Sequence, residues 1–408
     1  MGAGPRRFHV RMRGRSSTEP HRASSPLELL FDLTFVVAVS SLVGQLAEQL
    51  VDGHPGAIVA YLQVFFAIWW AWINFTWFAS AYDVDDALYR VFTLVQMAGV
   101  LVLAAGVPVA FGNSNYVVIV IGYLIMRVAM VGQWIRAGIE HPATRRAAFR
   151  YAGGVLLVQL AWVLRLLLPQ SLALMSFVVL ALAEMAVPVW AEWRVRTTWH
   201  PGHIAERYSL FVIILLGESV AVATMAMQQA LRATGVTPQL IVIGAAGLVL
   251  LFGIWWLYFL EPSESGLRRR PRWSYFWGYG HYVLFAAIAA VGVGLEVAVT
   301  AVSGHHEISA VGAGYVLAVP VAVVLAVLYV LYRPLSGGND IPGFVLLPAA
   351  AVCLGIPLAA DGIGIAGVAV ALAVLLALVI PVTMLIEQRR HRADPADAAT
   401  PAASTGAD

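Results

Sequence analysis

Unbroken apolar runs of about 18 residues or more recur along the whole chain, and each is long enough to cross a bilayer core as a helix. Such a chain has few folds open to it. In lipid every backbone N–H and C=O must be satisfied internally, which leaves only helices and closed barrels. Barrel strands would show alternating hydrophobicity over about ten residues, and these runs show none. Hydrophobic residues make up 60% of the chain and charged residues 12%, against about 25% charged in a soluble domain. The sequence therefore predicts an all-α polytopic membrane protein. Twelve spans are expected, at 27–50, 57–80, 88–111, 115–136, 150–168, 171–192, 205–228, 238–260, 274–301, 309–332, 343–360 and 363–387.

Every basic residue is arginine, and the arginines fall to one side of these spans. Arg6, Arg7, Arg11, Arg13, Arg15 and Arg22 precede the first span. Alternation puts Arg145, Arg146, Arg150, Arg194, Arg196, Arg268 to Arg270, Arg272, Arg389, Arg390 and Arg392 on the same side, while the opposite loops hold little besides Arg232. By the positive-inside rule both termini are expected to be cytoplasmic, with anionic lipids the natural partner of these loops. No cleavable leader is evident, so the first span is expected to remain as an anchor. The single cysteine, Cys353, lies in an apolar run and supports neither a disulfide nor a cysteine metal site.

The chain also reads as duplicated. "LELLFDLTFVVAVSS" (27–41) lines up with "AERYSLFVIILLGES" (205–219), which sets Glu28 on Glu206 and Ser41 on Ser219. "FFAIWWAW" (65–72) lines up with "LFGIWWLY" (251–258). An even number of spans separates the copies, so they form a parallel repeat about an axis along the membrane normal. The expected divisions are a disordered Arg-rich segment (1–24), a first six-helix repeat (25–195), a second (196–388) and a disordered tail (389–408).

"SPLELLFDLTFVVAVSSL", "WWAWINFTWFASAYDVDD", "HIAERYSLFVIILLGESV", "WWLYFLEP" and "WGYGHYVLF", followed by "GVGLE", together resemble the bacterial low temperature requirement protein A family, LtrA. The resemblance runs from about residue 25 to about residue 385 in the family's order. Leu30 and Ser209 depart from the family's usual Phe and Gly, and both changes are mild. The resemblance implies a protein of the bacterial cytoplasmic (inner) membrane linked to growth at low temperature, and names no reaction.

Ionisable side chains inside spans are the candidates for function, because they are costly in hydrocarbon. Glu218 falls roughly 20 Å along its helix. It is either a protonatable or cation-coordinating group or a hydrogen-bonded packing device. Asp32 lies one turn beyond Glu28 and is too deep to cap a helix. Ser25, Pro26 and Glu28 form a capping box, so Glu28 and its counterpart Glu206 are read as helix caps, with His203 a candidate N-cap for the second copy. Arg127 is the most central arginine and faces four acids: Asp32, Glu184, Glu218 and Glu296. One cation cannot neutralise four carboxylates, and this excess of acid favours cation or proton handling.

Asp83, Asp85 and Asp86 cluster in a loop on the arginine-rich side, as an inner-mouth cluster or as the cap of the third span with Asp86 paired to Arg90. Trp69, Trp70, Trp72, Trp255 and Trp256 are expected to pack the core between repeats. His200, His203 and Glu206 have the residue types of a zinc site, but Pro201 and Gly202 break the spacing, and no metal is expected. "GIGIAG" (362–367) opens a span rather than following a strand, so no dinucleotide site is implied. No cofactor or nucleic-acid module and no catalytic nucleophile is expected. The leading expectation is a cation- or proton-coupled transporter or channel. A lipid-directed membrane enzyme and a non-catalytic scaffold or sensor are the alternatives.

Overall fold

A computed structural model of the protein describes residues 8–16, 19, 22–260, 263–304, 307–336 and 343–393. The described residues are helical throughout their ordered elements, with no strand. The first half comprises α1 (Pro26–Val51), α2 (Ala57–Tyr82), α3 (Ala87–Asn113), α4 (Val117–Glu140), α5 (Arg145–Arg165) and α6 (Ala173–Ala191). The second comprises α7 (Pro201–Thr234), α8 (Pro238–Phe259), the short α9 (Ser263–Arg269), α10 (Ser274–Ser303), α11 (Ala310–Ser336), α12 (Gly343–Gly355) and α13 (Ala360–Ala393). The end of the bundle holding Pro26 is called the near face and the opposite end the far face.

Local chemistry starts these helices where the chain needs them. Ser25 caps α1 through a complete capping box with Glu28, and Pro26 takes the first helical position, where its missing N–H costs nothing. Asp86 caps α3 by accepting from the Tyr89 N–H, and Thr237 caps α8 by accepting from Leu240. The cap of α7 differs from expectation. His200, not His203, accepts there, from the His203 N–H.

Among the described residues, eleven helical stretches are long and apolar enough to cross a membrane. The last, Gly343–Ile386, holds 44 residues, about twice what one crossing needs. It is bent back on itself. Gly343 packs on Tyr329 at the near end of α11, Pro357 packs on Gly314 at its far end, and Leu376 returns to Gly253 near the near end of α8. A short 3-10 turn (Ile356–Ala359) and Gly364, at φ +68, make the reversal. The stretch thus holds both of the last two expected spans.

Helices in lipid gain little from hydrophobicity and associate by close packing. α3 and α4 meet through glycine: a Cβ on Gly122 would fall 2.6 Å from the Gly99 carbonyl and collide with the Leu103 backbone. α10 and α11 meet likewise, where a Cβ on Gly294 would lie 2.6 Å from the Leu317 Cα. α1, α2, α7 and α10 supply the aromatic centre, with Phe35, Trp69, Trp72, Phe211 and Phe285 all buried. Trp255 and Trp256 do not join it. Both are 45% exposed, because α8 turns Gly253, Ile254 and Leu257 inward instead.

The segment ahead of α1 also departs from expectation. Where it is described it is laid over the near face rather than disordered. Met12 is buried, the Arg15 N–H donates to the Ala81 carbonyl at 2.9 Å, and Gly14 N–H donates to His141 Nδ1 at 2.8 Å. Buried Arg22 donates to the carbonyls of Ala79 and Ser80 in the last turn of α2, where Ala79 also accepts from the Asp83 N–H. Charge drives this placement: the arginines find acids and free carbonyls on the surface beneath them. The expected tail lies outside the described residues from 394 onward.

Candidate functional site

α1 and α7 run side by side in the same direction, and their facing residues form the most deeply buried charge cluster. Asp32 Oδ1 sits 2.6 Å from Arg207 Nη2 and accepts a second hydrogen bond from Trp72 Nε1 at 2.7 Å. Arg207 Nη2 also reaches Thr76 Oγ1 at 3.3 Å. Both charged side chains are wholly buried. Asp32 Oδ2 and Arg207 Nε and Nη1 find no hydrogen-bond partner in the chain. One turn nearer the face, His203 Nε2 lies 3.0 Å from Glu28 Oε1, while Glu28 Oε2 closes the capping box on Ser25. Glu28 is thus a cap that also faces α7. Glu206 caps nothing on its own helix. It accepts at 3.4 Å from the Ser24 N–H ahead of α1.

Further along the same seam the charges change character. Ser40 of α1 hydrogen-bonds Glu218 of α7, about 12 Å beyond Asp32 at 1.5 Å per residue. The neighbouring serines reach across to other helices: Ser41 Oγ donates to the Ala104 carbonyl of α3, and Ser219 Oγ to that of Ile288 in α10. Glu296 of α10 lies within electrostatic reach of Glu48 at the far end of α1, and its Oε2 is buried without a partner. Among the described residues neither Glu218 nor Glu296 forms an ion pair.

Arg127 belongs to a different site. Its Nη2 lies 3.7 Å from Glu184 Oε2, and both side chains are buried. Glu184 accepts from Trp70 Nε1 at 2.7 Å, Tyr123 OH at 3.0 Å and Trp162 Nε1 at 3.2 Å. Arg127 donates to the Tyr123 hydroxyl and stacks its guanidinium 4.4 Å from that ring. One carboxylate with three neutral donors and a cation forms a network joining α2, α4, α5 and α6, in which Arg127 Nε has no hydrogen-bond partner among the described residues. Asp32, Glu218 and Arg127 therefore do not converge on a common centre.

The acidic loop is neutralised by arginines. Arg136 bonds both oxygens of Asp86, Arg90 bonds both oxygens of Asp85 at 2.7 Å, and Arg15 Nη1 lies 3.6 Å from Asp83. Asp86 therefore pairs with Arg136 rather than Arg90. Burial would raise its pKa, but the Arg136 bond and the N–H groups of Val10 and Tyr89 outweigh burial and hold it below the usual range. Asp83 goes the other way: burial, helped by the charge of Glu28, pushes it up to about 6 against the pull of Arg22 and Arg15. Among the described residues no group of three or more His, Cys, Asp or Glu side chains could hold a metal ion. His200 Nε2 sits 2.8 Å from the Glu19 carbonyl, and His281 is buried against the Trp277 carbonyl.

Sequence reasoning missed Arg207 and Glu192. Arg207 sits only one residue past Glu206, near enough to a helix start to read as a surface arginine. Glu192, at the end of α6, accepts from Tyr151 OH at 3.1 Å, Tyr275 OH at 3.0 Å and the Thr197 hydroxyl. It opens into a cavity walled by aromatic rings.

A bundle of apolar, glycine-packed helices with charge pairs sealed inside it defines a polytopic helical membrane protein. The description of the bacterial low temperature requirement A protein (LtrA) family matches residues 23–380, and the chain belongs to that family. It is similar to the uncharacterized protein RA0937 of Rhizobium meliloti (strain 1021), with 28% identity over 70% of this chain and 72% of that one. No solved structure matches it.

Proposed function

We propose that the chain is a proton- or cation-coupled transporter or channel of the bacterial inner membrane, with both termini cytoplasmic and a link to growth at low temperature. The observation that carries this reading is the line of polar groups along α1, α7 and α10. It begins at Glu28 and His203, passes the Asp32–Arg207 pair, and continues through Ser40 and Glu218 toward Glu296. Intramembrane acids without a cationic partner are costly to keep and mark proton or ion routes. Asp32 is the gate in this scheme: protonation cancels its attraction for Arg207 and loosens the contact between α1 and α7. Arg127 and Glu184 act instead as a clamp within the first half. The acids Asp83, Asp85 and Asp86 pin the near-face loops.

The halves 25–195 and 196–388 are taken as parallel copies. In support, Ser41 and Ser219 make corresponding bonds to α3 and α10. The packing order also runs in parallel: α1 on α3, α3 on α4 and α4 on α5 correspond to α7 on α10, α10 on α11 and α11 on α12.

The test is flux into liposomes under imposed pH and potential gradients, with wild type, Glu218→Gln and Asp32→Asn compared. Proton or monovalent-cation flux in the wild type, abolished in folded Glu218→Gln, is the expected result. Wild-type flux that both variants retain would overturn the proposed route.

A further inference from the structure

We propose that the cavity around Glu192 is a binding site for an organic cation of the quaternary ammonium class. Its walls are the rings of Trp70, Trp77, Trp134, Tyr151, Tyr275 and Tyr279, drawn from α2, α4, α5 and α10. The cavity therefore lies on the seam between the two halves of the chain, close to the near face. The rings support one another: Trp134 stacks on Tyr151 at 4.0 Å, Trp77 lies parallel to Tyr275 at 6.3 Å, and Tyr279 meets Trp70 edge-on at 5.4 Å.

The one carboxylate in this box is fixed in place by neutral donors. Tyr151 and the Thr197 hydroxyl hold Oε1, Tyr275 holds Oε2, and among the described residues no basic side chain pairs with it. A carboxylate held by neutral hydroxyls, in a cavity lined by aromatic rings, offers a cation both a counter-charge and π surface. A small inorganic cation such as calcium or magnesium would need six or more oxygens around it, which six aromatic walls do not offer. A weakly hydrated alkylammonium group needs no such shell and is attracted by each ring face it meets. Glu192 supplies the counter-charge and the rings supply the contact area. The site is separate from the Asp32–Arg207 pair and from the proposed proton route, so this inference stands whether or not the chain carries protons.

The test is equilibrium binding to the purified full chain in maltoside detergent, read by quenching of tryptophan fluorescence. The probe is choline, compared with its uncharged isostere 3,3-dimethylbutan-1-ol and with sodium chloride at matched ionic strength. Saturable quenching by choline is expected, at least about tenfold tighter than by the isostere. Glu192→Gln and, separately, Trp77→Leu should each weaken choline binding by about tenfold or more, with size-exclusion profiles confirming folded protein. No saturable quenching by choline, or equal affinity for choline and its isostere, would overturn the proposal without any variant. Wild-type affinity in folded Glu192→Gln and Trp77→Leu would place the bound choline elsewhere and overturn it as well.

Discussion

Asp32 and Arg207 meet at 2.6 Å between two helices that run in the same direction, each the first of its half of the chain. Neither side chain has measurable exposure, so this pair is a fully buried charged contact between the two halves, about two turns in from the near face. Breaking a buried pair leaves an uncompensated charge, which costs about 3–5 kcal/mol, whereas removing both charges costs far less. Asp32→Asn should therefore lower thermal stability strongly, by that order. The double variant Asp32→Asn with Arg207→Met should recover most of the loss. Melting curves of the three proteins in one detergent decide it, and additive losses would show that the two side chains are not coupled.

Asp83 predicts a pH signature. Its carboxyl is raised from an ordinary value near 4 to about 6 in the folded protein, chiefly by burial. A raised carboxyl favours the folded state below the unfolded pKa, and that contribution is lost as pH rises through about 6. At neutral pH the penalty is at most about 3 kcal/mol. Asp83→Asn should thus be more stable than wild type at pH 7.5, and the difference should shrink toward zero at pH 4. A pH-independent difference would mean that Asp83 is not the group responsible.

Gly122 predicts a steric cost. A single methyl there would strike the backbone of α3, whereas one on Gly44 of α1 meets nothing within 4 Å. Gly122→Ala should lower stability by about 1–3 kcal/mol, in the range of overpacked sites. Gly44→Ala should be neutral or slightly stabilising, because alanine favours helix. Equal behaviour of the two variants in a melting assay would contradict the close approach of α3 and α4.

Much of the fold could be read from hydropathy because each span carries its own signal. Asp32 stood out for the same reason: its depth is a property of one helix. Its partner did not, since Arg207 reaches it only once α7 lies beside α1, and side-chain pairing between helices leaves no local trace. The same limit explains Arg127, whose central depth was legible but whose partner Glu184 sits two helices away. Trp255 and Trp256 matched Trp69 and Trp70 in sequence yet face outward, because alignment gives position along a helix and not the direction a face points. Glu192 was hidden at a helix end, where a carboxylate is ordinary, and its aromatic company comes from four other helices.

The strap ahead of α1 reverses the order in which the protein is made. His9, Arg11 and the Met12 N–H all bond to Glu140, the last residue of α4. Glu140 cannot take its place until four helices have been threaded through the membrane. Residues 9–12 are made before Glu140 and can dock only once that later stretch is in place. Their docking therefore reads the placement of the α3–α4 hairpin: a hairpin inserted the other way round leaves no Glu140 on that side to receive the strap.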